Sequence, residues 1–268
     1  MTALGLLLTQ EPWLATGLAA VLGLLLGSFL NVIVGRLPAV ALDPDRADEW
    51  PGLLVRPGSH CPHCRNPIRW YHNLPLLGWL LLRGRCHDCD AQIPLRYPLL
   101  ELAGGMLMGV SVFWHGPDLA ALAIGLFLLA LLALAAIDLE HQILPDQLVL
   151  PLLWAGLLIN AFGVLTSPQD AILGAAAGFL LLTGLRLAYR ALRGIDGMGQ
   201  GDAKLIAAIG AWLGLQPTLT TLLIAFVSGS LVALVLHLMR RLEHRQCLPF
   251  GPGIALGALA ASLGVSLF

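Results

Sequence analysis

Charge is what this sequence has least of. Only 12% of its 268 residues are Asp, Glu, Lys or Arg, while 57% are apolar and the mean hydropathy is +0.81; soluble domains carry about 25% charge. That excludes an ordinary soluble domain, and the chain reads as an all-α polytopic membrane protein. The net charge of -1 gives no reason to expect a nucleic-acid or other acidic partner. The partner this composition demands is the lipid bilayer. Lysine and arginine are also missing from residues 1–11, so the positive n-region of a cleaved secretory signal is absent, and the apolar run that follows is long for one. The expectation is a retained first span.

Eight apolar runs follow one another, at about 13–34, 97–114, 119–137, 147–165, 171–189, 203–215, 218–239 and 250–267. A crossing helix needs roughly 17–25 residues. The run at 203–215 is short, and crosses only if its ends lie in protein or in a polar cavity. The expected architecture is therefore about eight transmembrane helices. Gly17, Gly23, Gly27, Ser28 and Asn31 in the first run suit close helix packing or interhelical hydrogen bonding. If the amino terminus is outside, all 15 lysines and arginines fall in or beside cytoplasmic segments, a strong positive-inside signature. The expected divisions are a first span at 1–35, a cytoplasmic loop at 36–97 and a membrane core at 98–268.

Cysteine is scarce too, at five, but four of the five lie in the polar loop as Cys61-Pro-His-Cys64 and Cys86-His-Asp-Cys89. Two such pairs, 21 residues apart, match the spacing of four-cysteine zinc sites. A tetrahedral thiolate site would fold a loop too small to build its own core. Redox dithiols and disulfides are the alternatives, and cytoplasmic placement counts against stable disulfides. Cys247 stands alone and reads as an ordinary thiol.

Against this apolar background two carboxylates stand out. Asp138 directly follows the run ending at Ile137, and Asp202 follows Gly197, Gly199 and Gly201 at the mouth of the sixth run. Ionisable groups at such positions are costly and mark functional sites by default. Asp138 alone is readable as a helix-end group or as part of a proton relay. Together the two stand at the same membrane level on the cytoplasmic side. If they converge on one water they can hold one proton between them, one acting as base and the other donating to a peptide carbonyl. A carboxylate-relay ion-coupled transporter is the competing reading; it calls for more polar residues deep in the spans, which are few. Asp146, after Pro145, fits a helix cap or first turn.

Further pieces join these: Gly27-Ser-Phe-Leu-Asn31 with Arg36-Leu-Pro38, the two cysteine pairs, Arg96-Tyr-Pro98 with Glu101, Ile137-Asp-Leu139 with Leu144-Pro-Asp146, Gly197-Met-Gly-Gln-Gly-Asp202-Ala-Lys204, and Pro249-Phe-Gly-Pro252. In them the chain resembles the type IV prepilin peptidases, or prepilin leader peptidase/N-methyltransferases. These pieces run in family order over nearly the whole chain. Gln200 and Ala203 stand where relatives often carry a tyrosine and a phenylalanine. The resemblance implies an aspartic endopeptidase of the bacterial inner membrane with Asp138 and Asp202 catalytic, cutting prepilins or type II secretion pseudopilins after a glycine on the cytoplasmic side. It further implies methylation of the new amino terminus with S-adenosylmethionine. The cysteine loop is associated with the bifunctional members, and Gly84 matches a glycine linked to methyl transfer.

Overall fold

A computed structural model describes residues 11–43, 45, 50–56, 58–194, 199–239 and 248–265. Their regular structure is helical apart from two isolated β-bridges. In order the helices are α1 (Pro12–Ala41), α2 (Trp50–Leu53), α3 (Leu77–Leu81), α4 (Arg96–His115), α5 (Leu119–His141), α6 (Asp146–Ala161), α7 (Pro168–Arg193), α8 (Gln200–Leu213), α9 (Leu215–Leu238) and α10 (Gly251–Ser262), with a 3-10 turn at Trp70–Asn73. The eight apolar runs coincide with α1 and α4 to α10. Five of these, α1, α4, α5, α7 and α9, are long and apolar enough to cross a membrane; α6 and α10 are shorter apolar helices. With 14 residues, α8 is about 21 Å long at 1.5 Å per residue, less than the roughly 30 Å hydrocarbon core. The chain is an all-helical, multi-pass membrane protein.

Two compact units divide it, residues 1–133 and 134–268. In the first, α1 packs along α4 through small residues. A Cβ on Gly23 would run into the Gly104 carbonyl, and one on Gly27 would lie 2.8 Å from the Glu101 Cα, so only glycine lets the two backbones approach this closely. Gly17, expected on the same interface, faces open space. Asn31 Nδ2 donates to the Tyr97 carbonyl at 3.2 Å, securing the end of α1 that leads into the polar loop. α1 continues through Pro38 to Ala41, beyond the apolar run, with Leu37, Pro38 and Val40 buried. The start of α5 is capped by Asp118, whose Oδ1 accepts the Ala121 N–H at 2.7 Å.

In the second unit α8 is the core. Leu205 to Trp212 are all buried, as are Asp202 and Ala203, because α6, α7 and α9 all pack against it. Burial in protein is the condition under which so short an apolar helix is stable in a bilayer. Its carboxyl end leaves carbonyls without intrahelical partners, and Asn160 on α6 serves them. Asn160 Nδ2 donates to the carbonyls of Ala211 (2.8 Å) and Trp212 (2.9 Å), while Oδ1 accepts from the N–H groups of Leu165 (3.0 Å) and Thr166 (3.1 Å). The Trp212 indole closes the joint by donating to the Leu152 carbonyl at 2.7 Å. On α7, Gly174 sits against Gly210 and Gly214 with no room for a Cβ.

Asn160→Ala leaves the two buried carbonyls of Ala211 and Trp212, and the part-buried N–H groups of Leu165 and Thr166, without this partner; a buried group left unpaired costs about 1–3 kcal/mol. The expected outcome is a loss of about 2–4 kcal/mol, read as a lower melting temperature of the detergent-solubilised protein. Surface controls such as Leu192→Ala should leave that temperature near the wild-type value.

Candidate active site and metal centre

The four loop cysteines converge. Cys61, Cys64, Cys86 and Cys89 present sulfurs that all lie within 4.8 Å of one another, with Cys61 Sγ 3.8 Å from Cys89 Sγ and Cys64 Sγ 4.0 Å from Cys86 Sγ. A tetrahedron of sulfurs around zinc at about 2.3 Å has edges of about 3.8 Å, whereas a disulfide needs about 2.05 Å. The two pairs are built alike. Cys61 N–H donates to the Asn66 carbonyl at 3.0 Å and Cys86 N–H to the Ala91 carbonyl at 2.8 Å. Bridges His60 to Pro67 and Arg85 to Gln92 flank them at equal offsets, and Arg65 and Asp90, each following a second cysteine, take φ of 60° and 55°. The Cys61 thiol is held down to about 6 by the backbone N–H of Cys64, against the effect of burial and with help from that of His63. Cys89, despite the Ala91 N–H, is pushed up to about 12 by burial and by the other three sulfurs. Four sulfurs this close can all ionise only beside a positive charge, and a divalent cation would supply it. The cluster is compatible with zinc.

Beside the cysteine cluster lies a cavity of about 350 Å³, whose wall includes Ser28, Asn31, Arg36, His72, Trp79 and Glu101. Glu101 is buried on α4. Its Oε2 accepts the Leu76 N–H at 2.7 Å, and the Ser28 side chain also bonds to it. Leu76 takes a φ of 59°, a conformation costly for leucine, and the Glu101 bond holds it at the start of α3. Gly84 does not itself line the cavity. It takes a φ of +71°, and a Cβ there would lie 2.8 Å from the Trp79 ring, which is fixed by a hydrogen bond from Nε1 to the Ile93 carbonyl at 3.2 Å.

In the second unit, Asp138 lies one turn before the end of α5, which runs on to His141. Asp138 and Asp202 are 6% and 8% exposed, and each is within electrostatic reach of the other. Each meets the amino-terminal end of a short helix. Asp138 Oδ2 accepts the N–H of Gly251, the first residue of α10, at 2.7 Å. Asp202 is the third residue of α8, and the N–H of its N-cap, Gly199, bonds back to the carboxylate, the reciprocal half of a capping box. Free N–H groups and the helix dipole favour negative charge at both places. Glycine is required at Gly251 by contact: a Cβ would lie 2.8 Å from Asp138 Oδ2. At Gly201 a Cβ would lie 2.8 Å from the Leu144 Cβ, so the Leu144-Pro-Asp146 turn rests on the start of α8.

Asp146 occupies the first turn of α6, as expected, but makes no side-chain cap. Its carboxylate is paired with Lys204 Nζ, at 2.8 and 2.7 Å. Glu140 and His141 lie exposed in the last turn of α5. Gly197 and Cys247 lie outside the described residues. The residues that sequence reasoning left without a role are Gly251 and Trp79. Gly251 sits in the Pro249-Phe-Gly-Pro252 motif, and that motif was the one signal for it.

Residues 21–115 match the family described as Bacterial Peptidase A24 N-terminal domain, and residues 125–234 the Type IV leader peptidase family. Curated relatives named prepilin leader peptidase/N-methyltransferase match most of the chain. The one from Aeromonas hydrophila is 43% identical over 94% of this chain and 91% of its own. That from Stutzerimonas stutzeri is 44% identical over 96% of this chain and 93% of its own. That from Burkholderia pseudomallei is 45% identical over 90% of this chain and 83% of its own. No solved structure matches the chain.

Proposed function

The chain belongs to the prepilin leader peptidase/N-methyltransferase family, and from that premise we propose that Asp138 and Asp202 are the catalytic pair that cleaves the leader of a prepilin or type II secretion pseudopilin. The observation that carries this is the burial of two carboxylates within electrostatic reach of each other, each at the positive end of a short helix. Gly251 occupies Asp138 Oδ2 and leaves Oδ1 for the reacting groups. Two like charges in one buried site share a proton. The ionised aspartate takes a proton from water as the water oxygen bonds to the scissile carbonyl carbon. The protonated aspartate donates to the carbonyl oxygen. The tetrahedral intermediate then collapses as the leaving amine gains a proton, and the carbon–nitrogen bond breaks. A prepilin's apolar helix begins just past its cleavage site, so the scissile bond would lie at the bilayer edge, the level assigned to this pair.

Zinc held by Cys61, Cys64, Cys86 and Cys89 staples the loop. All eight apolar helices cross the bacterial inner membrane, the amino terminus is outside, and the catalytic pair faces the cytoplasm; the distribution of lysine and arginine supports this orientation. The second activity is methylation of the amino terminus that cleavage exposes. S-adenosylmethionine, when bound, supplies an electrophilic methyl group, and Gly84 acts on that half of the reaction. Whether the enzyme serves pili or secretion is decided by the substrate helix it accepts.

Asp138→Asn and Asp202→Asn should each reduce prepilin cleavage by at least about a thousandfold while membrane insertion is unchanged; substantial residual cleavage by either variant, followed by intact mass, would reject the pair. Gly251 is a positioning residue. Since its φ is an ordinary one, Gly251→Ala tests the contact with Asp138 alone, and kcat should fall about tenfold or more with KM near wild type. A fall confined to KM would rule out that role. Elemental analysis of the purified protein should give one zinc per chain, lost in Cys61→Ser and Cys86→Ser, and a wild-type preparation without zinc would overturn the metal assignment.

A further inference from the structure

We propose that the cavity bounded by Asn31, Trp79 and Glu101 is the binding site for S-adenosylmethionine. This rests on the methyltransferase reading above and adds to it a place and a set of contacts. The starting point is a carboxyl group out of water. Glu101 is a buried carboxylate whose hydrogen bonds come from the Leu76 N–H and the Ser28 side chain, both neutral donors. A buried charge calls for an opposite charge, and the described residues around the cavity do not bring one into contact with it.

Asn31 adds an independent observation. It is 5% exposed, and its Nδ2 is committed to the carbonyls of Tyr97 and Gly27. Its Oδ1 has no hydrogen-bond partner, which is rare for a buried side-chain oxygen. Asn31 and Glu101 both belong to the wall of one cavity, and the Glu101 carboxyl favours a molecule that brings N–H or O–H donors and positive charge. Arg36 on the same wall adds guanidinium donors beyond the one that bonds the Leu53 carbonyl at 2.7 Å, and those match a carboxylate. Trp79 and Tyr97 are also among the lining residues. A ligand with an ammonium, a carboxylate, a sulfonium, ribose hydroxyls and a flat base uses each kind of group. At about 350 Å³ the cavity falls within the range of small-molecule sites, roughly 300–1,000 Å³.

This placement also gives Gly84 a physical role. Gly84 is not in the cavity wall, yet any side chain there collides with the Trp79 indole, and the indole is part of that wall. Gly84 is thus a positioning residue acting through Trp79, with no need to touch the donor.

The test is equilibrium binding of tritiated S-adenosylmethionine to the zinc-loaded, full-length protein in detergent, with zinc content and melting temperature recorded for each variant. Glu101→Gln keeps an acceptor for Leu76 and removes the charge; its dissociation constant should rise about tenfold or more. Val32→Trp fills the cavity and should abolish binding. Wild-type affinity in both variants would put the donor elsewhere and overturn the proposal while leaving the methyltransferase reading in place. A wild-type protein that neither binds the donor nor methylates a cleaved prepilin would reject that reading itself, and the proposal with it. Should a variant lose its fold, ultraviolet crosslinking of the tritiated donor to the wild type decides: label within residues 28–36 or 72–101 supports the site, and label confined to other peptides overturns it.

Discussion

Two carboxylates cannot be buried in an apolar helical bundle unless something stabilises their charge or shares their proton, and most of the second unit is arranged to meet that requirement. The Gly251 N–H and the Gly199 N–H do the first part. Both belong to helix beginnings, where amide groups have no partner within the helix, so one contact satisfies a donor and a carboxylate at once. The lengths of α8 and α10 follow from this role. A helix that has to present its first turn at a buried acid begins inside the protein, and it is correspondingly short. The far end of α8 is sealed in the same manner by Asn160, which leaves its last carbonyls paired. Asp202 is thereby held on a helix secured at both ends.

The first unit meets a different constraint. Its polar loop has too few apolar residues to bury a core, and a four-sulfur cluster ties it together instead. Two matching knuckles fold the chain back on itself, and Glu101 reaches from α4 to hold Leu76 in a conformation that leucine resists. The glycines of α1 and α4 bring those helices close enough for Ser28 and Glu101 to meet. The cavity is the space left between this stapled loop and the helix pair, so small residues in the membrane helices and thiolates in the loop jointly shape it.

Class, the apolar helices and the four-cysteine cluster were all legible in the residue order. Low charge and eight apolar runs announced a helical membrane protein, because the bilayer excludes every backbone that does not satisfy its own hydrogen bonds. The cysteine spacing announced a four-sulfur cluster, because a tetrahedral ion needs ligands from two tight turns. Asp138 and Asp202 drew attention through the cost of placing a charge there, a property of the residue and its neighbours that needs no coordinates. What the sequence could not reveal was anything that depends on two distant segments meeting. Gly251 is 113 residues from Asp138, Asn160 is about 50 from the carbonyls it serves, and Asn31, Trp79 and Glu101 lie on three separate elements. Hydrogen bonds and voids of that kind are fixed by packing, since a donor in one helix is aimed at an acceptor in another only after close contact at Gly27, Gly174 and Gly201 has set the distance between backbones. The sequence by itself determined which groups had to be rescued from the membrane; only the tertiary structure decided which partners rescue them.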